Sequence, residues 1–237
     1  MNFIITPVRN NLHLTRKAVK TFRAQDIPVE ILIIDNASTD GTAQWLSAQR
    51  DLGVMHHDPP LSVAASWNRG LEFAFRQGAD HALIVNNDTE LRPDTYRLLL
   101  EDGGGFVTAV GTNDPEKIKP PYALPDPAAK RDHPDFSCFL IRKETYYKVG
   151  PFDENFKIAF AEDGDYDVRL FKAGIRAYCI DLPFLHHGSM TIKNSDPAEI
   201  RRIQIQADKN RQYFAKKHGF AMASPEYYRA LGKGGPS

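Results

Sequence analysis

Apolar residues over the first hundred positions come in two alternating textures. Short unbroken runs at Phe3-Ile-Ile-Thr6, Glu30-Ile-Leu-Ile-Ile-Asp35, Val54–His57 and His81–Val85 predict strands. Between them, apolar residues spaced three and four apart predict helices over Leu14–Ala24, Thr42–Ala48 and Val63–Gln77. The second strand run is continuous rather than alternating, which suits a parallel strand covered on both faces. Strand and helix in regular alternation predict an α/β domain with a mainly parallel central sheet.

From Asp102 to Asp135 the pattern breaks. Gly103-Gly-Gly105, prolines at 115, 120, 121, 125, 127 and 134, and a scatter of lysines describe a long irregular segment. Such texture belongs either to a bare surface loop or to a lid or binding element. Phe136–Arg142 then resumes as a strand, Lys143–Val149 as a helix and Arg176–Ile180 as a strand. Pro197–His218 is an amphipathic helix, with Ile200, Ile203, Ile205, Ala207, Tyr213 and Phe214 among polar residues. The last six residues, Gly-Lys-Gly-Gly-Pro-Ser, are expected to fray.

In parallel sheets, ligands bind beyond the carboxyl ends of strands. Three successive predicted strands end in polar residues: Thr6-Pro-Val-Arg-Asn10, Asp35-Asn-Ala-Ser-Thr-Asp-Gly41 and Asn86-Asn-Asp88. Each has an ordinary reading, because Asn, Asp, Ser and Gly are turn formers. Each also has a chemical one. Asp35 is an acceptor-only carboxylate able to receive a nucleobase N–H or a ribose hydroxyl. The Asn86-Asn-Asp88 triplet offers hard oxygen donors that suit Mg2+ or Mn2+ rather than zinc.

Two further clusters follow. Glu162, Asp163, Asp165 and Asp167 crowd one predicted helix start, more acid than the helix dipole alone requires. One of them facing a crevice could act as a general base. His186-His187 closes the apolar segment Asp181-Leu-Pro-Phe-Leu185 and reads equally as structural or as a metal ligand.

Composition narrows the field. The 237 residues are 42% hydrophobic, and 30 basic residues balance 30 acidic ones. A whole-molecule attraction to nucleic acid or anionic membrane is therefore not indicated. Cys138 and Cys179 both sit in apolar runs, as buried free thiols of a reducing compartment do. No secretory leader is visible, and no run reaches the roughly 20 apolar residues of a membrane span. The expectation is a cytoplasmic protein, with room for peripheral attachment at the inner membrane surface. Walker A, HExxH, paired CxxC and GxSxG motifs are missing, which removes P-loop, zinc-hydrolase and serine-hydrolase chemistry.

Six phrases then stand in a telling order: FIITPVRNN, VEILIIDNASTDGT, PLSVAASWNRGLEFA, LIVNNDTELRPD, GPFDENFKIAFAEDGDYDVRL and HHGSMT. Together, over roughly residues 2–220, they resemble glycosyltransferase family 2, inverting enzymes of GT-A fold, and its rhamnosyltransferase-like members in particular. The resemblance implies one Rossmann-like GT-A domain over 1–220. Its nucleotide-binding half would be 1–101, its catalytic and acceptor half 102–220, with a C-terminal tail at 221–237. It implies a nucleotide-sugar donor, UDP- or dTDP-linked by preference, and a hydroxyl on a polysaccharide, glycan-lipid or protein acceptor.

Carried over by position, the resemblance puts Asp35 on the base or ribose, with Pro7, Val8, Arg9 and Asn10 in the same pocket. Asn36, Ser66, Asn68 and Asn87 complete the nucleotide side. Asp88 would hold Mn2+ or Mg2+, helped by His186 or His187, with His186 favoured. Asn86 stands where a strict Asp-x-Asp pattern has its first acid, which throws more weight on a histidine. Asp163 would be the catalytic base, and Glu162 would bind the acceptor or orient that base. Trp67 either stacks on a sugar or belongs to the core. Two rival classes remain: a nucleotidyltransferase, which would want a glycine-rich loop that TPVRNN lacks, and a non-catalytic nucleotide-sugar or carbohydrate binder.

Overall fold

The strands are β1 (Phe3–Val8), β2 (Glu30–Asp35), β3 (Leu52–His56), β4 (His81–Val85), β5 (Thr89–Glu90), β6 (Phe106–Thr112), β7 (Cys138–Arg142) and β8 (Ala177–His186). The helices are α1 (Leu12–Arg23), α2 (Thr42–Ser47), α3 (Val63–Arg76), α4 (Thr95–Asp102), α5 (Lys143–Val149), α6 (Glu162–Lys172), α7 (Pro197–His218) and α8 (Pro225–Ala230). A computed structural model describes residues 1–188 and 196–233. All eight strands join one sheet in the order β3-β2-β1-β4-β7-β6-β8-β5. β1 to β4, β6 and β8 run one way, and only β5 and β7 run against them.

Alternate strand residues feed opposite faces, as the pleat requires. Ile4, Ile31, Ile33, Leu83 and Leu140 pack under α1, α2 and α4 through Val19, Phe22, Leu46, Tyr96 and Leu99. Ile5, Leu32, Ile84, Phe139 and Ile141 pack on the other face against Trp67, Leu71, Phe75, Tyr146 and Tyr166 of α3, α5 and α6. Helix α3 lies unusually close to β1, because a Cβ on Gly70 would stand 2.3 Å from Ile5 Cγ2. A third, smaller cluster joins Phe156, Ala161, Val168, Phe214 and Leu231 behind the start of α6.

The chain order creates a switch point. β1 leads through α1 to β2 on one side, whereas β4 arrives on the other side of β1. Pairing between β1 and β4 runs only from Phe3↔Ala82 to Ile5↔Ile84. Beyond it the two strands part, and Pro7, which has no N–H to donate, occupies the parted side. That gap at the carboxyl edge is where such sheets bind ligands.

The expected parallel sheet is present, and four elements go beyond the pattern. β5, β6, α4 and α8 were not predicted from periodicity. For β6, the Gly103-Gly-Gly105 triplet looks like a breaker, but it works as a junction. Gly103 ends α4 in the left-handed region at φ +81°, a usual helix stop. A Cβ on Gly104 would lie 2.5 Å from the Tyr178 hydroxyl, so β6 can start tight against β8. The stretch 221–237, expected as a tail, carries α8 and buries Leu231.

Candidate active site

A cleft of about 640 Å3 opens at the carboxyl edge of the sheet. The ends of β1, β2, β4 and β8 supply Pro7 to Arg9, Asn36, Asn86 to Asp88 and His186. Because β7 is antiparallel, its beginning reaches the same edge and adds Asp135, Phe136 and Ser137. The first turn of α6 contributes Glu162 and Asp163, and α7 contributes Glu199 and Ile203.

On the wall made by β1, β2 and β4, polar groups are tied to one another. Asn36 donates from Nδ2 to Ser66 Oγ at 3.0 Å and accepts from the Leu61 N–H at 3.1 Å. Asn87 donates to Thr15 Oγ1 at 3.1 Å. Asp88 is buried, with His186 Nε2 3.4 Å from its Oδ1. Arg9 reaches across to Glu199 of α7 at 3.5 Å.

The other wall is apolar, formed by Trp67, Phe136, Ile158, Ala159 and Phe160. Into it project the two acids. Glu162 is buried, and its Oε2 has no hydrogen-bond partner among the described residues. Burial, reinforced by the adjacent Asp163 charge, pushes its carboxyl up to about 8. Half-buried Asp163 is also raised above its ordinary value by burial, although its Oδ1 accepts the Gly164 N–H at 2.7 Å. An orphaned buried carboxylate oxygen is rare in a finished core and marks a place where a ligand or proton belongs.

The loop feeding α6 is strained. Ile158, Phe160 and Ala161 sit at φ +61°, +80° and +74°. Side chains avoid that region, most of all β-branched ones such as Ile, and each residue there costs roughly 1–3 kcal/mol.

The expected site residues sort into three groups. Pro7, Val8, Arg9, Asn36, Asn87, Asp88, Glu162, Asp163 and His186 come together around the cleft. Asp35, Asn10 and Ser66 stand just behind its wall. Asp35 is buried with its Oδ2 2.9 Å from His56 Nδ1, and its Oδ1 has no partner among the described residues. Asn10, at φ +59°, ties the β1 and β2 loops by accepting from Thr39 N–H at 2.7 Å. Ser66 supports Asn36. Asn68 and His187 point elsewhere. Asn68 is buried and holds Phe152 through both its N–H and its carbonyl, so its amide serves the core. His187 Nε2 lies 3.0 Å from Glu90 Oε1 and is not part of the cleft lining.

Trp67 is a core residue that also reaches the cleft lining. It packs against Phe139 and Phe152 at 5.3 and 4.9 Å and shows the cleft one edge. Sequence reasoning missed Asp135, Ile158 to Phe160, Glu199 and Ile203. The antiparallel turn into β7, the loop that feeds α6 and the return of α7 bring them here. Among the described residues, no three His, Cys, Asp or Glu side chains gather into a self-contained metal site. The Asp88–His186 pair fits a cation that takes its remaining ligands from water and a substrate diphosphate.

Residues 3–103 match the family model described as Glycosyl transferase family 2. That stretch runs from β1 through α4, and over it the chain resembles the family. N-acetylglucosaminyl-diphospho-decaprenol L-rhamnosyltransferase of Mycobacterium tuberculosis is 26% identical over 233 residues, covering 78% of this chain and 75% of the relative. Mannosyltransferase PcManGT from Pyrobaculum calidifontis, solved with GDP-Man and Mn2+, has TM-score 0.61 at 17% identity, covering 97% of this chain and 67% of that one. S. aureus TarS 1-349 in complex with UDP has TM-score 0.58 at 19% identity, with coverage of 98% and 79%. At these identities the solved structures speak for the fold, which is the GT-A arrangement. The chain thus pairs a sheet-edge cleft with the phrases that first suggested sugar transfer.

Proposed function

We propose that the protein moves a sugar from a nucleoside-diphosphate donor to an acceptor hydroxyl with inversion at the anomeric carbon. One observation carries this reading: Asp88 with His186, and Asp163 with Glu162, line the same cleft. The donor nucleotide lies along the β1, β2 and β4 ends, against Pro7 to Arg9, Asn36 and Asn87, with Asp35 behind. Asp163 takes the proton of the acceptor hydroxyl as that oxygen attacks the anomeric carbon opposite the leaving diphosphate. Burial raises its carboxyl above the ordinary aspartate value, which makes it a better base. Glu162, protonated at neutral pH, keeps a second negative charge away from Asp163 and donates toward the acceptor. A divalent cation held by Asp88 and His186 would supply Lewis-acid stabilisation of the leaving diphosphate.

UDP- and dTDP-sugars are the leading donors, and GDP-Man joins the panel because PcManGT was solved with it. The name of the Mycobacterium tuberculosis relative makes a lipid-linked diphospho-sugar the leading acceptor class. Among the described residues no helix is long and apolar enough to cross a membrane, so such an acceptor would be met at a surface. The test is calorimetry with nucleoside diphosphates and nucleotide sugars, with and without Mn2+, on wild type and Asp88→Ala. Binding of one donor, tightened by Mn2+ and weakened in the variant, supports the reading. Folded protein that binds no nucleotide under any condition refutes it.

A further inference from the structure

We propose that Asn210 is a positioning residue, which pins the strained loop 157–161 and thereby aims Asp163 and shapes the apolar wall of the cleft. The inference rests on the transferase reading above and extends it to a helix that contributes no catalytic group.

Asn210 lies on α7, nearly 50 positions beyond the acids it serves, and is 1% exposed. Its Nδ2 donates to the carbonyls of Lys157, Ala159 and Phe160 at 2.9, 2.9 and 3.0 Å. Its Oδ1 accepts from the Lys157 N–H at 3.3 Å and from Gln206 Nε2 at 2.9 Å. One amide with two N–H groups thus serves three carbonyls of a single turn, and its oxygen serves that turn's first N–H. No other side-chain type offers both functions in that shape. An aspartate would set a carboxylate against three carbonyl oxygens.

The pinned segment is the one the backbone resists. Ile158, Phe160 and Ala161 all hold positive φ, and such conformations persist only where surroundings over-determine them. Among the described residues its middle is held otherwise by the Val63 N–H, which donates to the Ile158 carbonyl at 2.8 Å. Ile158, Ala159 and Phe160 line the cleft, and Ala161 is the residue from which α6 starts with Glu162 and Asp163. If the turn relaxes, the first turn of α6 shifts with it. Misplacement of a reacting group by about 1 Å can lower a rate about 100-fold.

The test compares Asn210→Ala with Gln25→Ala. Gln25 is a similar amide clamp, bonded to Thr21, Arg92 and Tyr96 at the end of α1 remote from the cleft. The readouts are hydrogen exchange of amides 157–164, and kcat and KM for the nucleotide sugar bound in calorimetry. For Asn210→Ala we expect exchange in that segment to quicken at least about 10-fold and kcat to fall about 10- to 100-fold, with donor KM within about 3-fold. Gln25→Ala should change neither at temperatures below its melting point. Adding Ala161→Gly to Asn210→Ala should restore part of kcat, since glycine takes positive φ without strain. An Asn210→Ala enzyme with wild-type kcat, or equal losses in both single variants, overturns the proposal. Wild type that transfers no sugar defeats the function reading instead, and the exchange arm still decides whether Asn210 pins the turn.

Discussion

The two walls of the cleft are built on different principles. The β1–β2–β4 wall is a set of strand ends whose lining amides are held by neighbouring hydroxyls, Asn36 by Ser66 and Asn87 by Thr15, with the Asp35 carboxyl behind them. Its lining residues Asn36, Asn87 and Asp88 keep ordinary φ, and its positive-φ positions, Asn10, Asn11 and Ala37, lie in the loops that follow β1 and β2. The opposite wall is apolar and strained, and carries acids whose carboxyls burial has raised. A wall of satisfied dipoles suits a charged nucleotide that needs a fixed frame. A dry wall with an orphaned carboxylate suits proton transfer, because desolvation sets the basicity. Placed side by side, the two walls would let one cleft both bind a diphosphate and move a proton, as the proposed function requires.

That contrast can be broken most severely at Asp163. Asp163→Asn should lower transfer about 100- to 10,000-fold, the range for a lost general base, while the nucleotide Kd holds within about 3-fold. Steady-state kinetics beside calorimetry decides it, and a parallel loss of nucleotide affinity would count against the division of labour. Asp88→Asn should do the reverse. Mn2+-dependent tightening of nucleotide binding should vanish, and transfer should fall on the order of 100-fold through lost charge stabilisation.

A third change tests the dry wall through stability. The Glu162 proton leaves the unfolded chain near 4.5 and the folded one near 8. Between those values the native state binds more protons, so stability falls as pH rises from about 4.5 to about 8. Glu162→Gln should flatten that slope by on the order of a few kcal/mol, measured as urea unfolding at pH 5 and pH 8. A wild-type curve rising over this interval for Glu162's sake would contradict its burial. The smallest effect separates the histidines. His186→Ala should weaken Mn2+-dependent binding about 10-fold, whereas His187→Ala should stay within about 2-fold, since its ring faces Glu90.

Legibility in the sequence follows the same division. Strand runs ending in Asp35 and Asn86-Asn-Asp88 were visible because a parallel strand announces itself as an unbroken apolar run and its end as a polarity break. Glu162 and Asp163 were visible as an excess of acid. The apolar wall was not. Asp135 follows a proline-rich stretch that resembles bare loop, and Glu199 lies on a helix whose polar residues look like any solvated face. Asn68 misled, because an asparagine beside a Trp on α3 carries no local sign that its amide will be taken by Phe152, 84 positions away. The Gly103-Gly-Gly105 triplet hid β6, since only the approach of Tyr178 explains Gly104.

Hydrophobic period, turn chemistry and the order of six phrases therefore determined the fold class, the family resemblance and the strand ends that meet in the cleft. These are local properties, set by backbone geometry within a few residues. Tertiary structure alone decided which histidine faces Asp88. Successive residues of an extended chain point to opposite sides, so the side taken by His186 depends on how β8 registers against β5. It alone decided that Glu162 would be dry, because burial belongs to the neighbours brought by Trp67, Phe136 and Phe160. And it alone set Asn210 beneath the turn at 157–161, since no rule of local spacing links one buried amide to carbonyls some 50 residues earlier.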